Sequence, residues 1–133
     1  MLTIRKAAYD ELVAHAKSGY PNEACGLLAG AGPGDAARFY PMKNADESAI
    51  SYFMDPKEQL RAFKAMRESG FEMRGIFHSH VASEAYPSQK DVRLAFYPDV
   101  SYLILSLSDM DRPVLRSYQI NEEKVTEEEI KIV

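Results

Sequence analysis

The chain has 133 residues, 46% hydrophobic and 27% charged, with 16 basic residues against 20 acidic ones and a net charge of −4. This suits one soluble domain, residues 1–133, with a single core. No cluster of Lys or Arg offers a nucleic-acid or membrane surface, no apolar run approaches transmembrane length, and the start breaks into charge too early for a signal peptide. With one cysteine, Cys25, no internal disulfide can form, and the expected compartment is the reducing cytoplasm.

In chain order, Leu2 to Ile4 reads as a short strand. Arg5 to Gly19 reads as an amphipathic helix, with Ala8, Leu12 and Ala16 at helical spacing and Gly19 as its stop. Tyr20 to Glu23 is a turn, Cys25 to Ala29 a small apolar buried strand, and Gly30 to Asp35 a loop. Ala37 to Asn44 and Ile50 to Asp55 are candidate strands. Asp55-Pro56-Lys57-Glu58 starts a helix, with Asp55 as cap, Pro56 in the first helical position and Glu58 where a capping-box acid belongs. That helix runs to about Ser69, and Gly70 stops it. Phe71 to His80 is a strand and Val81 to Pro87 a loop. Ser88 to Asp91 opens a short helix in capping-box style, ending near Tyr97-Pro98. Ser101 to Ser108 is a buried strand. Arg112 to Ile120 and Glu128 to Val133 are strands closing the sheet, with Asn121 to Lys124 as their turn. The expectation is a mixed α/β domain of about six to eight strands and two main helices.

Two of the three histidines, His78 and His80, end the apolar strand that precedes the loop. Alternate strand residues share a face, with Cα atoms about 7 Å apart, so both imidazoles can lean toward one metal ion. Neutral imidazole is a good zinc ligand. Asp91, in the first turn of the next helix, is the best third ligand, and the helix N-terminus favours a carboxylate there. Three protein ligands leave a fourth position for water, the mark of a catalytic zinc site. His-x-His alone is a weak signal. By themselves Asp91 and Ser88 complete a capping box, and Glu23 is a surface turn residue. The combination is specific: histidines ending a strand, a spaced loop, then Ser-x-x-Asp opening a helix.

At these residues the chain resembles the JAMM (MPN-plus) metalloprotease family. The family motif is an upstream glutamate, then His-Ser/Thr-His, seven residues, Ser, two residues and Asp. Glu23, His78-Ser79-His80, Ser88 and Asp91 match it at every spacing. "PNEACGLLAG" and "SYLILSLS" are similar to the family's flanking strands. The resemblance implies an α/β fold, a single mixed-sheet JAMM/MPN domain with flanking helices and a cytidine-deaminase-like architecture. It implies one Zn2+ per chain on His78, His80 and Asp91, with Glu23 as general base and Ser88 as oxyanion donor. It implies a zinc metallopeptidase that cuts peptide or isopeptide bonds after the C-terminal Gly-Gly tail of a ubiquitin-like or sulfur-carrier protein. The short length is similar to the bacterial branch, and no large insertion surrounds the motif. Two other classes stay open, a non-proteolytic MPN-type binding module and a zinc hydrolase of another small amide. The first needs a broken motif, and zinc deaminases need a Pro-Cys-x-x-Cys segment that is absent.

Other residues carry bland expectations. Ser79 alternates with the histidines, so it points away from the metal, as a core or supporting hydroxyl. Cys25, in an apolar strand, is a small buried thiol rather than a nucleophile. His15 is expected to be exposed on the first helix.

Overall fold

In the computed structural model, which describes all 133 residues, the chain forms β1 (Leu2–Ile4), α1 (Lys6–Gly19), β2 (Cys25–Gly30), β3 (Asp35–Ala36), β4 (Arg38–Met42), α2 (Pro56–Glu68), β5 (Glu72–His80), α3 (Gln89–Arg93), β6 (Ser101–Ser106), β7 (Val114–Asn121), β8 (Lys124–Glu128) and β9 (Ile130–Ile132). A six-stranded mixed sheet runs in the order β4-β2-β5-β6-β7-β8. Only β5 and β6 are parallel neighbours in it. A second, all-parallel sheet of order β3-β1-β9 gathers the two chain ends.

The helices follow from spacing and caps. Ala8, Leu12 and Ala16 put one stripe of α1 against Leu28, Phe39, Phe77 and Leu103 on one face of the large sheet. Asp55 caps α2 by accepting from Lys57 N–H at 3.0 Å, and Ala62 and Met66 bury that helix on the opposite face, against Cys25, Leu27, Ala29 and Met42. The cap is worth about 1 kcal/mol. Gly70, at φ +71°, turns the chain out of α2 in the left-handed region that glycine tolerates best. At Gly30 a Cβ would lie 1.7 Å from the Asp35 carbonyl oxygen, so only glycine lets the chain fold back into β3.

Several expectations are corrected. Glu58 does not close a capping box; its carboxylate accepts from Lys43 N–H at 2.7 Å and ties α2 to the end of β4. Residues 50–55 form no strand beyond an isolated bridge between Asn44 and Met54, because the Asn44 side chain takes their backbone groups instead. The Gly30–Asp35 loop gives way to β3. α3 ends at Arg93, short of Tyr97-Pro98, and the Tyr97 N–H bonds the Tyr102 hydroxyl at 2.9 Å rather than a helix carbonyl. The turn at Asn121–Lys124 is where expected, but its second strand is β8, and the last residues cross as β9 to pair with β1.

Candidate active site

Strand alternation sorts β5 into two faces. Phe77 lies in the core under α1, whereas Ile76 packs toward α2 and α3. His78 and His80 share the Ile76 side, and both are buried. They sit at the C-terminal end of the parallel β5–β6 pair, where the chain leaves the sheet for the loop to α3.

That loop is pinned by its carbonyls. The Ser106 hydroxyl donates to Ser83 O at 2.6 Å, His80 Nδ1 donates to Glu84 O at 2.8 Å, and the Tyr118 hydroxyl donates to Ala85 O. α3 then begins with a complete capping box: Asp91 N–H donates to Ser88 Oγ at 3.1 Å, and Ser88 N–H donates to Asp91 Oδ2 at 2.9 Å. The box turns Asp91 Oδ2 toward the histidines. Ser88 is exposed, and its hydroxyl proton is free to donate while its oxygen caps the helix.

His78 Nε2, His80 Nε2 and Asp91 Oδ2 form a near-equilateral triangle with edges of 3.0, 3.1 and 3.2 Å. These three residues form a group able to hold a metal ion. A proton can bridge only one edge of the triangle at a time, whereas a divalent cation satisfies all three atoms together. Zinc bonds of about 2.0–2.1 Å in tetrahedral geometry set donors about 3.3 Å apart, so the triangle fits with a small outward relaxation. The Nδ1–H bond to Glu84 O leaves the His80 Nε2 lone pair facing the triangle. His78 is braced by Tyr52, whose ring stacks on it at 4.6 Å and 21°.

The site's electrostatics follow from burial and contacts. Burial keeps the His78 imidazole below its ordinary value. Burial also opposes charge on His80, but hydrogen bonds to Asp91 and the Glu84 carbonyl outweigh it and raise that imidazole. Burial pushes Asp91 up, and the hydrogen bonds from both histidines and the Ser88 backbone overcome it, holding the carboxylate well below the usual range.

Glu23 reaches the site through register. β2 and β5 are antiparallel with Cys25 opposite His78. The chains stay paired one residue further, where Ser79 N–H donates to Ala24 O at 2.9 Å and Ala24 N–H donates to Ser79 Oγ at 2.8 Å. Continuing the register puts Glu23 opposite His80. Glu23 is only 7% exposed. Burial pushes its carboxyl up to about 7, with His80 opposing the rise and Asp91 adding to it. A carboxyl poised there suits a proton carrier at neutral pH. Ser79 faces away from the histidines, as expected, and its hydroxyl anchors the residue after Glu23.

Two further residues resolve otherwise. Cys25 is fully buried and its thiol is pushed up to about 12 by that burial, so it is neutral and inert at pH 7. His15 is not free on the surface; its Nε2 lies 3.0 Å from Cys25 O and 3.1 Å from Met42 O, tying α1 to β2 and β4. The sequence reading missed Tyr52, Asn44, Ser106 and Tyr118, whose effects depend on segments far apart in the chain. Beside Asp91 opens an apolar cleft of about 380 Å³, lined by Tyr52, Phe53, Ile76, Leu94, Phe96 and Tyr97 among others.

Residues 5–121 match the family model described as prokaryotic homologs of the JAB domain. The chain is 44% identical over 134 residues to a protein of Mycobacterium tuberculosis named CysO-cysteine peptidase, covering 100% of this chain and 92% of that one. It is 34% identical over 113 residues to the desampylase of Haloferax volcanii, covering 79% and 80%. Among solved structures, protein DSY2949 of Desulfitobacterium hafniense superposes with a TM-score of 0.91 at 48% identity, covering 100% of this chain and 93% of that one. With the match spanning both β2 and the whole of the β5–α3 site, this chain belongs to the prokaryotic JAB-domain family.

Proposed function

We propose that the protein is a zinc metallopeptidase that cuts the peptide or isopeptide bond following the C-terminal Gly-Gly of a ubiquitin-like or sulfur-carrier protein. The observation that carries this reading is the triangle of His78, His80 and Asp91 with the buried Glu23 carboxyl in register beside it. The names of the relatives support the substrate class, since one is a peptidase of a cysteine adduct and another a desampylase.

His78, His80 and Asp91 would hold one zinc ion, which would supply Lewis acidity to acidify water and polarise the scissile carbonyl. Glu23 accepts the proton of the attacking water and passes it to the leaving nitrogen. Ser88 donates its hydroxyl proton to the oxygen of the attacked carbonyl as negative charge develops there. The apolar cleft beside Asp91 holds the residues flanking the scissile bond and excludes water from them.

A ubiquitin-like carrier extended by one cysteine after its Gly-Gly provides the test, read by mass spectrometry. The expected product is free cysteine and the Gly-Gly-ended carrier, with poor cleavage when the last glycine becomes valine. Equal rates on both tails would refute the tail reading and favour a small-amide substrate. No cleavage of any tail by zinc-loaded protein would favour the binding-module reading, which needs a broken motif that this sequence does not have.

A further inference from the structure

The backbone of Glu23 lies outside the sheet ladder, which begins at Cys25. Both of its main-chain groups are held by one irregular segment, residues 44–53. Glu23 N–H donates to Ser48 O at 2.8 Å, and the Asn44 side-chain amide donates to Glu23 O at 2.9 Å. Asn44 is 9% exposed and uses both ends of its amide. Nδ2 also donates to Ser51 O at 2.9 Å, and Oδ1 accepts from Asp46 N–H and Phe53 N–H, each at 3.0 Å. An amide has two donors and two acceptor sites, and all four are engaged. The segment so closed carries Tyr52, which stacks on His78, and contributes Ile50, Ser51, Tyr52 and Phe53 to the wall of the cleft.

We infer that Asn44 is a positioning residue that joins Glu23 to the cleft wall as one unit, so that the proton carrier and the substrate-binding surface are set together. The inference rests on the reading that Glu23 carries the proton. One side chain bridges the main chain of Glu23 and the carbonyl and N–H groups that shape residues 46–53. A substrate seated against Tyr52 and Phe53 therefore presses on the same hydrogen bonds that hold Glu23. Alanine at position 44 would leave two carbonyls and two N–H groups without these partners and uncouple the two features.

A double-mutant cycle on the zinc-loaded full chain tests this, using a synthetic peptide whose terminal Gly-Gly is amide-linked to 7-amino-4-methylcoumarin. In the wild-type background Asn44→Ala should lower kcat by about 10–100-fold, the cost of a misplaced catalytic group, and raise KM. In the Glu23→Gln background the same change should lower kcat less than about threefold, because the group it positions no longer carries a proton. A merely structural asparagine would cost the same factor in both backgrounds, and that result overturns the inference, as does wild-type kcat for Asn44→Ala. If Asn44→Ala does not melt cooperatively or load zinc, Asn44→Asp enters the same cycle; it keeps the acceptor for Asp46 and Phe53 and loses the donation to Glu23. Glu23→Gln at the wild-type rate would overturn both this inference and the proposed mechanism. A slow Glu23→Gln with additive losses would overturn this inference alone.

Discussion

Burial sets the chemistry of Glu23. In the turn after α1, nothing beside it in the chain marks it as more than a solvated acid, and only the pairing of β2 with β5 brings it opposite His80. Glu23→Gln keeps the shape and removes the proton acceptor of the proposed mechanism. Zinc content should stay at one per chain, while turnover falls by about 10²–10⁴, the usual weight of a positioned general base. Loss of zinc in this variant, measured by elemental analysis, would make Glu23 a ligand and overturn the three-ligand site. The Ser88 oxygen caps α3, a role worth about 1 kcal/mol, and in the proposed mechanism its proton also goes to the substrate oxygen. Ser88→Ala should therefore cost that stability and also lower kcat by about 10²–10³. A stable variant with wild-type turnover would leave Ser88 with the capping role alone. That the two histidines and Asp91 come together was legible because their spacing is local to one strand, one loop and one helix start. The place of Glu23 beside the histidines was legible only through the family resemblance, and the hydrogen bonds of Asn44 not at all, because a hydrogen-bonding hub has no periodic signature.

At the level of elements, the helices were legible from caps and apolar spacing, and β2, β5 and β6 from their apolar runs. Sequence misled where side chains replace backbone pairing. Ile50 to Asp55 is rich in strand-forming residues, yet Asn44 holds it as an irregular wall. The final strand has an ordinary pattern, but pattern does not specify which sheet it joins. The loop from Val81 to Pro87 is a loop as expected, but what holds its shape lies on β6 and β7 and was not legible from its own residues. Tyr118 on β7 holds Ala85 O, and Ser106 on β6 holds Ser83 O. These bonds support the aim of α3 and hence of Asp91. Tyr118→Phe should strip the buried Ala85 carbonyl of its partner, at a cost of about 1–3 kcal/mol. Zinc affinity should weaken by about tenfold, as for other supports of metal ligands. A competition titration with a chelator reads the affinity, and an unchanged value would show that the loop keeps Asp91 in place without this bond.

For the whole molecule, a bound metal would add to a fold that already has its core. The face under α1 and the faces under α2 and α3 are packed by apolar side chains independent of the triangle, so the metal-free chain should stay folded with a lower Tm. The gap should depend on pH. His80 and Glu23 both have raised values in the folded protein. Their contribution to metal-free stability is fully present below their unfolded values, near pH 6.5 and 4.5, and is lost as pH rises through the folded ones, about 7 for Glu23. His78 is shifted the other way, so its contribution is lost only as pH falls below about 6.5, and above that it is neutral in both states. From about pH 6.5 to 8, then, these groups make the metal-free protein less stable as pH rises. Zinc binding runs in the opposite direction, because its ligands must be deprotonated and a proton on His80 competes with the ion for Nε2. The Tm difference between zinc-loaded and metal-free protein should therefore widen between pH 6.5 and 8 at fixed free zinc, measured by calorimetry in matched buffers. A gap that narrows over that range would mean that the triangle is not where the metal binds. Glu23→Gln separates the two sources: the metal-free variant should lose less stability than wild type as pH rises through about 7, while the zinc-linked rise, which belongs to His80, should persist.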